Sequence, residues 1–72
     1  MAVVKIVELV GKSKKSWTDA AQSAVAEAAK TVRGIIGVDV MKITGTVENG
    51  KIVEFKTDLK LAFVVRPEDL GT

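Results

Sequence analysis

A β-α-β-β subunit of the α+β class, with a three-stranded antiparallel sheet, is the fold this sequence predicts. Three observations predict it. Asn49-Gly50 separates two long runs of strand character, and both residue types tolerate the positive φ of a type I′ hairpin turn. The second run alternates: Val53, Phe55, Thr57, Leu59, Leu61, Phe63 and Val65 point one way, while Ile52, Glu54, Lys56, Asp58, Lys60, Ala62 and Val64 point the other. An alanine-rich stretch after Ser16 carries the spacing of one helical face.

The first strand is expected over Ala2 to Val10. Its faces are Val3, Lys5, Val7, Leu9 and Val4, Ile6, Glu8, Val10, each with three apolar residues and one charge. A strand apolar on both faces is usually covered on both. Gly11 to Lys15 reads as a short loop. Ser16-Trp17-Thr18-Asp19 fits a capping box, which starts a helix over 17–33 and ends it at Gly34. Ala20, Ala21, Ala24, Val25, Ala28, Ala29 and Val32 form its apolar face, small enough for close approach to a sheet.

Ile35-Ile36-Gly37 reads as a link to the second strand, Val38 to Glu48. Gly45 is a candidate bulge or bend there. The third strand spans about Lys51 to Val65 and stops before Pro67. With Asn49-Gly50 as the turn, Glu48 faces Lys51, Val40 faces Leu59, Val38 faces Leu61 and Asp39 faces Lys60. Met41 and Ile43 share the face of Asp39. The simplest closed sheet places the third strand between the other two. The helix then covers the Phe55, Leu59, Leu61, Phe63 side, and the opposite face has no cover within one chain. Residues 1–72 make one domain, with a loose tail at about 67–72.

Composition bounds the function. Seventy-two residues without cysteine form a marginal core, yet 47% of the chain is apolar. The surplus predicts burial between subunits. Eleven basic and nine acidic residues, net +2, are too balanced for a nucleic-acid module. No apolar run is long enough to span a membrane and the N-terminal stretch lacks a secretory pattern, so a cytoplasmic location is expected.

Without histidine or cysteine there is no His-based triad and no thiolate, and no nucleophile–base pair is legible, so an enzyme is not expected. Metals are left with oxygen ligands. Asp39, Glu54 and Asp58 lie on the uncovered face, and symmetry copies could bring them to an axis around a divalent cation. The competing reading is charge pairing, Asp39 with Lys60 and Glu54 or Asp58 with Lys56. Gly11-Lys12-Ser13-Lys14-Lys15 before a helix is either an anion cradle or a solvated loop. Trp17 is either a stacking platform or packing at the sheet's end.

The pattern resembles the dodecins, small bacterial and archaeal proteins. The matching features are KIVELVGKS-x-x-SW from Lys5 to Trp17, the AAQSAVAEAAKTVRGI helix, Val38-Asp39-Val40, the long last strand and LAFVV near its close. The resemblance implies a sheet partly wrapped around the helix and a hollow homo-dodecamer, which would absorb the apolar surplus. It also implies storage of a flavin, riboflavin or FMN, in stacked pairs rather than catalysis. The family's flavin-stacking tryptophan position falls on Gly37, and its ring-edge glutamine position falls on Lys56. Loss of ring stacking, worth roughly 1–3 kcal/mol per ring by analogy with nucleobases, weakens the flavin reading. The chain is more similar to a branch with tryptophan at the helix start and none in the strand, with which calcium is associated. A ligand-free structural shell is the remaining alternative.

Overall fold

The computed structural model describes residues 3–65; the tail expected at 67–72 lies outside them. In chain order these form β1 (Val3–Ser13), α1 (Trp17–Ala28), β2 (Ile35–Glu48) and β3 (Lys51–Val65). β3 lies between β1 and β2 and is antiparallel to both, so the fold class and strand order match the expectation. Asn49 and Gly50 take φ of 53° and 76°, which makes the turn.

The alternation of β3 decides where the core sits. Leu59 and Leu61 are 0% exposed and Thr57 is 1% exposed, all on the side that faces α1. The Thr57 hydroxyl donates to the Trp17 carbonyl at 2.8 Å, which pins the start of the helix to the central strand. Trp17 packs edge-on against Phe55, with ring centroids 4.8 Å apart, and its indole N–H donates to the Thr44 carbonyl at 2.7 Å. The tryptophan therefore packs across β2 and β3.

The helix start forms as expected, with one exchange of partners. The Ser16 hydroxyl accepts from the Asp19 N–H at 2.9 Å. The Asp19 carboxylate accepts from the Ser13 hydroxyl at 2.6 Å. Ser13 in turn accepts from the Lys15 N–H at 2.9 Å. These bonds engage the Ser13 and Ser16 hydroxyls and the Lys15 and Asp19 N–H groups, and they place the Asp19 carboxylate at the helix start.

Three boundaries differ from the sequence reading. α1 stops at Ala28, not at residue 33, because Lys30 and Thr31 bond to carbonyls only three residues back. Gly34, at φ 75°, instead opens β2, and its carbonyl accepts from the Val64 N–H. Ile35, Ile36 and Gly37 belong to β2. Gly11, Lys12 and Ser13 belong to β1, not to a loop. Gly11 is buried directly under the helix. A Cβ there would overlap the Ala20 carbonyl oxygen and lie 3.1 Å from the Ala24 Cβ. The missing side chain is what lets α1 settle on β1.

The four hairpin pairs read from the turn all form. Between them, however, the register slips by one residue and slips back. Val53 is the extra residue on β3 and Met41 the extra residue on β2. In the segment they bracket, Ile43 pairs with Thr57 and Gly45 with Phe55, which puts both on the helix side. For Ile43 this reverses the outer-face placement that simple alternation predicts. Ile52, also expected on the outer face, instead reaches the Trp17 side, where its Cγ2 would sit 3.2 Å from a Cβ on Gly45. Gly45 itself keeps regular pairing, and Ile36 marks a further irregularity near the start of β2.

The subunit measures 54 × 20 × 15 Å. A 15-residue strand spans about 50 Å while a 12-residue helix spans about 18 Å. The helix packs on β1 and β3 and leaves β2 largely bare. Four apolar residues (Ala20, Leu59, Leu61 and Val65) are buried, against twelve large apolar residues left exposed among those described.

The substitution Gly11→Ala should lower stability by about 1–3 kcal/mol through overpacking, read as a drop in the urea midpoint. Gly37→Ala, where a Cβ meets nothing within 4 Å, should stay within about 0.5 kcal/mol of the parent. Equal midpoints for the two variants would refute the close-approach role of Gly11.

Candidate functional site

The outer face of the sheet, away from α1, carries all the sequence-predicted site residues. Register sets its rows. Ile6, Ala62 and Gly37 share one row, and Glu8, Lys60 and Asp39 share the next. Val10, Asp58 and Lys42 follow, then Lys12, Lys56 and Thr44, and then Glu54 and Thr46. Eight charged side chains thus form a belt with four positive and four negative members. Apolar Val4, Ile6, Ala62 and Val64 flank it at one end.

Gly37 and Lys56 lie on this one face but apart. Gly37 is opposite Ala62, six positions along β3 from Lys56, which is roughly 20 Å at strand rise. One subunit does not bring them together. The three carboxylates are spread similarly. Asp58 lies one row from Asp39, and Glu54 lies two rows beyond Asp58. Among the described residues no group of three acidic side chains is close enough to hold a metal ion.

The charge pairs read from the sequence form only in part. Glu54 approaches Lys56 at 3.9 Å along the same strand. Asp39 is registered opposite Lys60, but among the described residues the ion pairs are Glu54–Lys56 and the helical Glu27–Lys30. Asp58 has a different neighbour. Glu8 stands diagonally across from it, and the Glu8 carboxyl is held above the usual carboxylate value. The largest cause is a side-chain hydrogen bond with Asp58, followed by the charge of Asp58 and a smaller desolvation, with Lys60 and Lys42 pulling back. Two carboxyl groups can form such a bond only when Glu8 carries its proton. Asp58 Oδ1 is buried and without a hydrogen-bond partner among the described residues, so it is the atom a proton on Glu8 would reach.

Sequence reasoning missed Glu8, Lys42 and Thr44 as members of this surface. Glu8 belongs to a strand whose pairing no turn specifies. Lys42 and Thr44 reach the outer face through the Met41 bulge. Two open depressions lie elsewhere, one beside the segment that follows the helix and one along the helix's C-terminal half. One of about 360 Å³ is lined by Lys5, Arg33, Phe63 and Val65 among others, and one of about 420 Å³ by Leu9, Val10, Ala24 and Ala28 among others. Neither contains a predicted site residue. Among the described residues the sheet face sets no hydroxyl or thiol nucleophile in hydrogen-bond contact with a base. What it offers is a broad polar surface with small residues at one end, suited to holding a flat or charged ligand against a second surface.

Comparison with known proteins places this geometry. The family model described as Dodecin matches residues 3–66. A dodecin of Thermus thermophilus is 38% identical over 61 residues, covering 85% of this chain and 88% of that protein. A protein of Mycobacterium tuberculosis named calcium dodecin is 30% identical over 67 residues, covering 93% and 94%. The crystal structure of a point variant of the T. thermophilus dodecin superposes with a TM-score of 0.88 at 35% identity, covering 92% of this chain and 98% of that one. That of the M. tuberculosis calcium dodecin, described as having a novel calcium-binding site, gives 0.78 at 29% identity over 90% and 93%.

The raised Glu8 value makes stability depend on pH with a defined sign. A carboxyl whose value is raised in the fold binds its proton more tightly there than in the unfolded chain. Its stabilisation is complete below the ordinary value of 4.5 and is lost as pH rises through the raised value. Glu8→Gln should therefore raise the melting temperature at neutral pH and leave it near the parent's in acid, flattening the profile above 4.5. Parallel melting profiles for the two proteins would show that the Glu8 carboxyl is not held above its usual value.

Proposed function

This chain belongs to the dodecin family, and from that premise we propose that it is a binding and storage protein that assembles with copies of itself and holds a small molecule on the outer face of its sheet. The observation that carries this reading is the unfinished surface of the subunit. Twelve large apolar residues stand exposed beside a buried core of four, and neither the outer face nor most of β2 has a cover within the chain. A monomer with that surface would associate. A closed assembly, a homo-dodecamer in this reading, hides the surface and turns the belt of charges toward partners or ligand.

Flavin is the first ligand to consider, at the Gly37 and Lys56 positions. Assembly would have to bring Gly37 of one copy toward Lys56 of another, since one chain holds them far apart. Gly37 offers no ring for stacking, while Lys56 offers a half-buried ammonium. Riboflavin and FMN are thus held weakly, by the sheet face and by charge. The space at Gly37 is open, since a Cβ there would meet nothing within 4 Å, so a larger side chain fits.

The second reading is calcium or another divalent cation. It is favoured by the name of the M. tuberculosis relative and by the Glu8–Asp58 carboxylates, which lie closer together than Asp39, Asp58 and Glu54 do. A site built from Asp39, Asp58 or Glu54 requires neighbouring copies.

Native mass spectrometry should find twelve copies of the 7.7 kDa chain; a monomer or dimer overturns the assembly. Flavin fluorescence titrated with the protein should show weak quenching. Gly37→Trp should strengthen it by roughly ten- to a hundredfold, the equivalent of one stacked ring. An unchanged affinity in that variant removes flavin from the Gly37 position. A melting temperature that rises with calcium and falls with a chelator would move the assignment to the cation reading.

A further inference from the structure

We propose that Lys12, Lys56 and Lys42, with the Thr44 hydroxyl, form an oxyanion site on the outer face of the sheet, and that the ligand held there bears a phosphate group. The inference rests on the reading that Lys56 belongs to the ligand face, and adds the chemistry the ligand must bring.

The site comes from the register. Lys12 and Lys56 are direct cross-strand partners on one face, which puts their Cβ atoms about 5 Å apart. Like charges directly opposite each other work against the sheet unless something negative lies between them. The nearby carboxylates do this poorly. Glu54 reaches Lys56 only at 3.9 Å, and among the described residues Asp58 forms no ion pair with Lys12, Lys42 or Lys56. Among the described residues Lys12 and Lys42 form no ion pair. On the other side of Lys56 stands Thr44, with Lys42 one row away opposite Asp58. Both reach this face only because Met41 bulges out of the ladder. Without that bulge the apolar side chain of Ile43 would face Lys56. Three lysines and a threonine from three strands thus share two adjacent rows of one face, with no cysteine or histidine to suggest a softer ligand. Oxyanions of phosphate type match such donors through charge-assisted hydrogen bonds. Lys56 is half-buried, so the charge it presents is less screened than on an open surface.

The test uses the assembled protein at fixed ionic strength. Replacing chloride with inorganic phosphate or pyrophosphate should raise the melting temperature of the parent, and Lys12→Gln and Lys56→Gln should each abolish that rise. Lys5→Gln, on the helix side of β1, should keep it. Without anion, the two outer-face variants should melt no lower than the parent, since each removes a like-charge contact; this separates loss of the site from loss of the fold. FMN should bind roughly tenfold more tightly than riboflavin, and the two should become equal in Lys56→Gln. An anion shift that survives in both variants, or that chloride reproduces, overturns the site. Equal binding of riboflavin and FMN by the parent overturns the phosphate inference while leaving the ligand reading intact. An anion shift with no binding of either flavin upholds the site and removes flavin as its occupant.

Discussion

The alternation of β3 is the constraint on which the rest depends. Its odd-numbered residues from Phe55 to Val65 turn toward α1 and its even-numbered ones turn away. Burying Leu59 and Leu61 contributes about 1.5–3 kcal/mol each, as upper estimates. The polar member of the buried set, Thr57, is satisfied by the Trp17 carbonyl. A slip of one residue in β3 would put Asp58 and Lys60 under the helix and Leu59 and Leu61 in water. Both neighbouring strands and the helix therefore have to fit this strand. They do so by local concession: a glycine in β1 where the Ala20 carbonyl comes down, and extra residues in the hairpin where its periods disagree.

Those extra residues shape the functional face. Met41 and Val53 bulge from opposite strands, so the shift that one introduces the other removes. The turn and the far end of the hairpin stay in one register while the middle runs in another. In that middle stretch Ile43 and Gly45 turn to the helix side, and Gly45 leaves room for the Ile52 side chain beside the Trp17 ring. Lys42 and Thr44 turn outward to join Lys56. Bulges commonly re-aim side chains in this way, and here one pair of bulges settles both the seat of the tryptophan and the polar chemistry of the opposite surface.

The bare helix side of β2 and the apolar end of the outer face together account for how a chain with so small a core carries so many apolar residues. The charged belt is balanced, and apolar residues stand beside it and along β2. Surfaces of this kind suit association between copies: the apolar parts supply burial, and the mixed charges set register and orientation. In such an assembly the belt would lie beside an interface, where its unmatched pairs, Lys12 with Lys56 and Glu8 with Asp58, would have the largest consequences.

Much of this protein was legible in its amino acids. The Asn49-Gly50 turn, the period-two pattern of β3, the Ser16 cap and the left-handed Gly34 are local features, each set by residues within one turn or one strand. They were enough for the element order, the sheet topology and the face on which to look for a site. What the sequence left open depends on which residues lie beside one another across strands. Glu8 meets Asp58 and Lys12 meets Lys56 only once β1 is paired with β3. Thr44 meets Lys56 only after a bulge whose position no residue type announces. Gly11 reads as a loop glycine until the helix is laid over it. Local chemistry determined the elements and their faces. The tertiary structure decided the neighbours, because a one-residue change in pairing reverses every side chain beyond it and is chosen by packing against the helix, not by the strand alone.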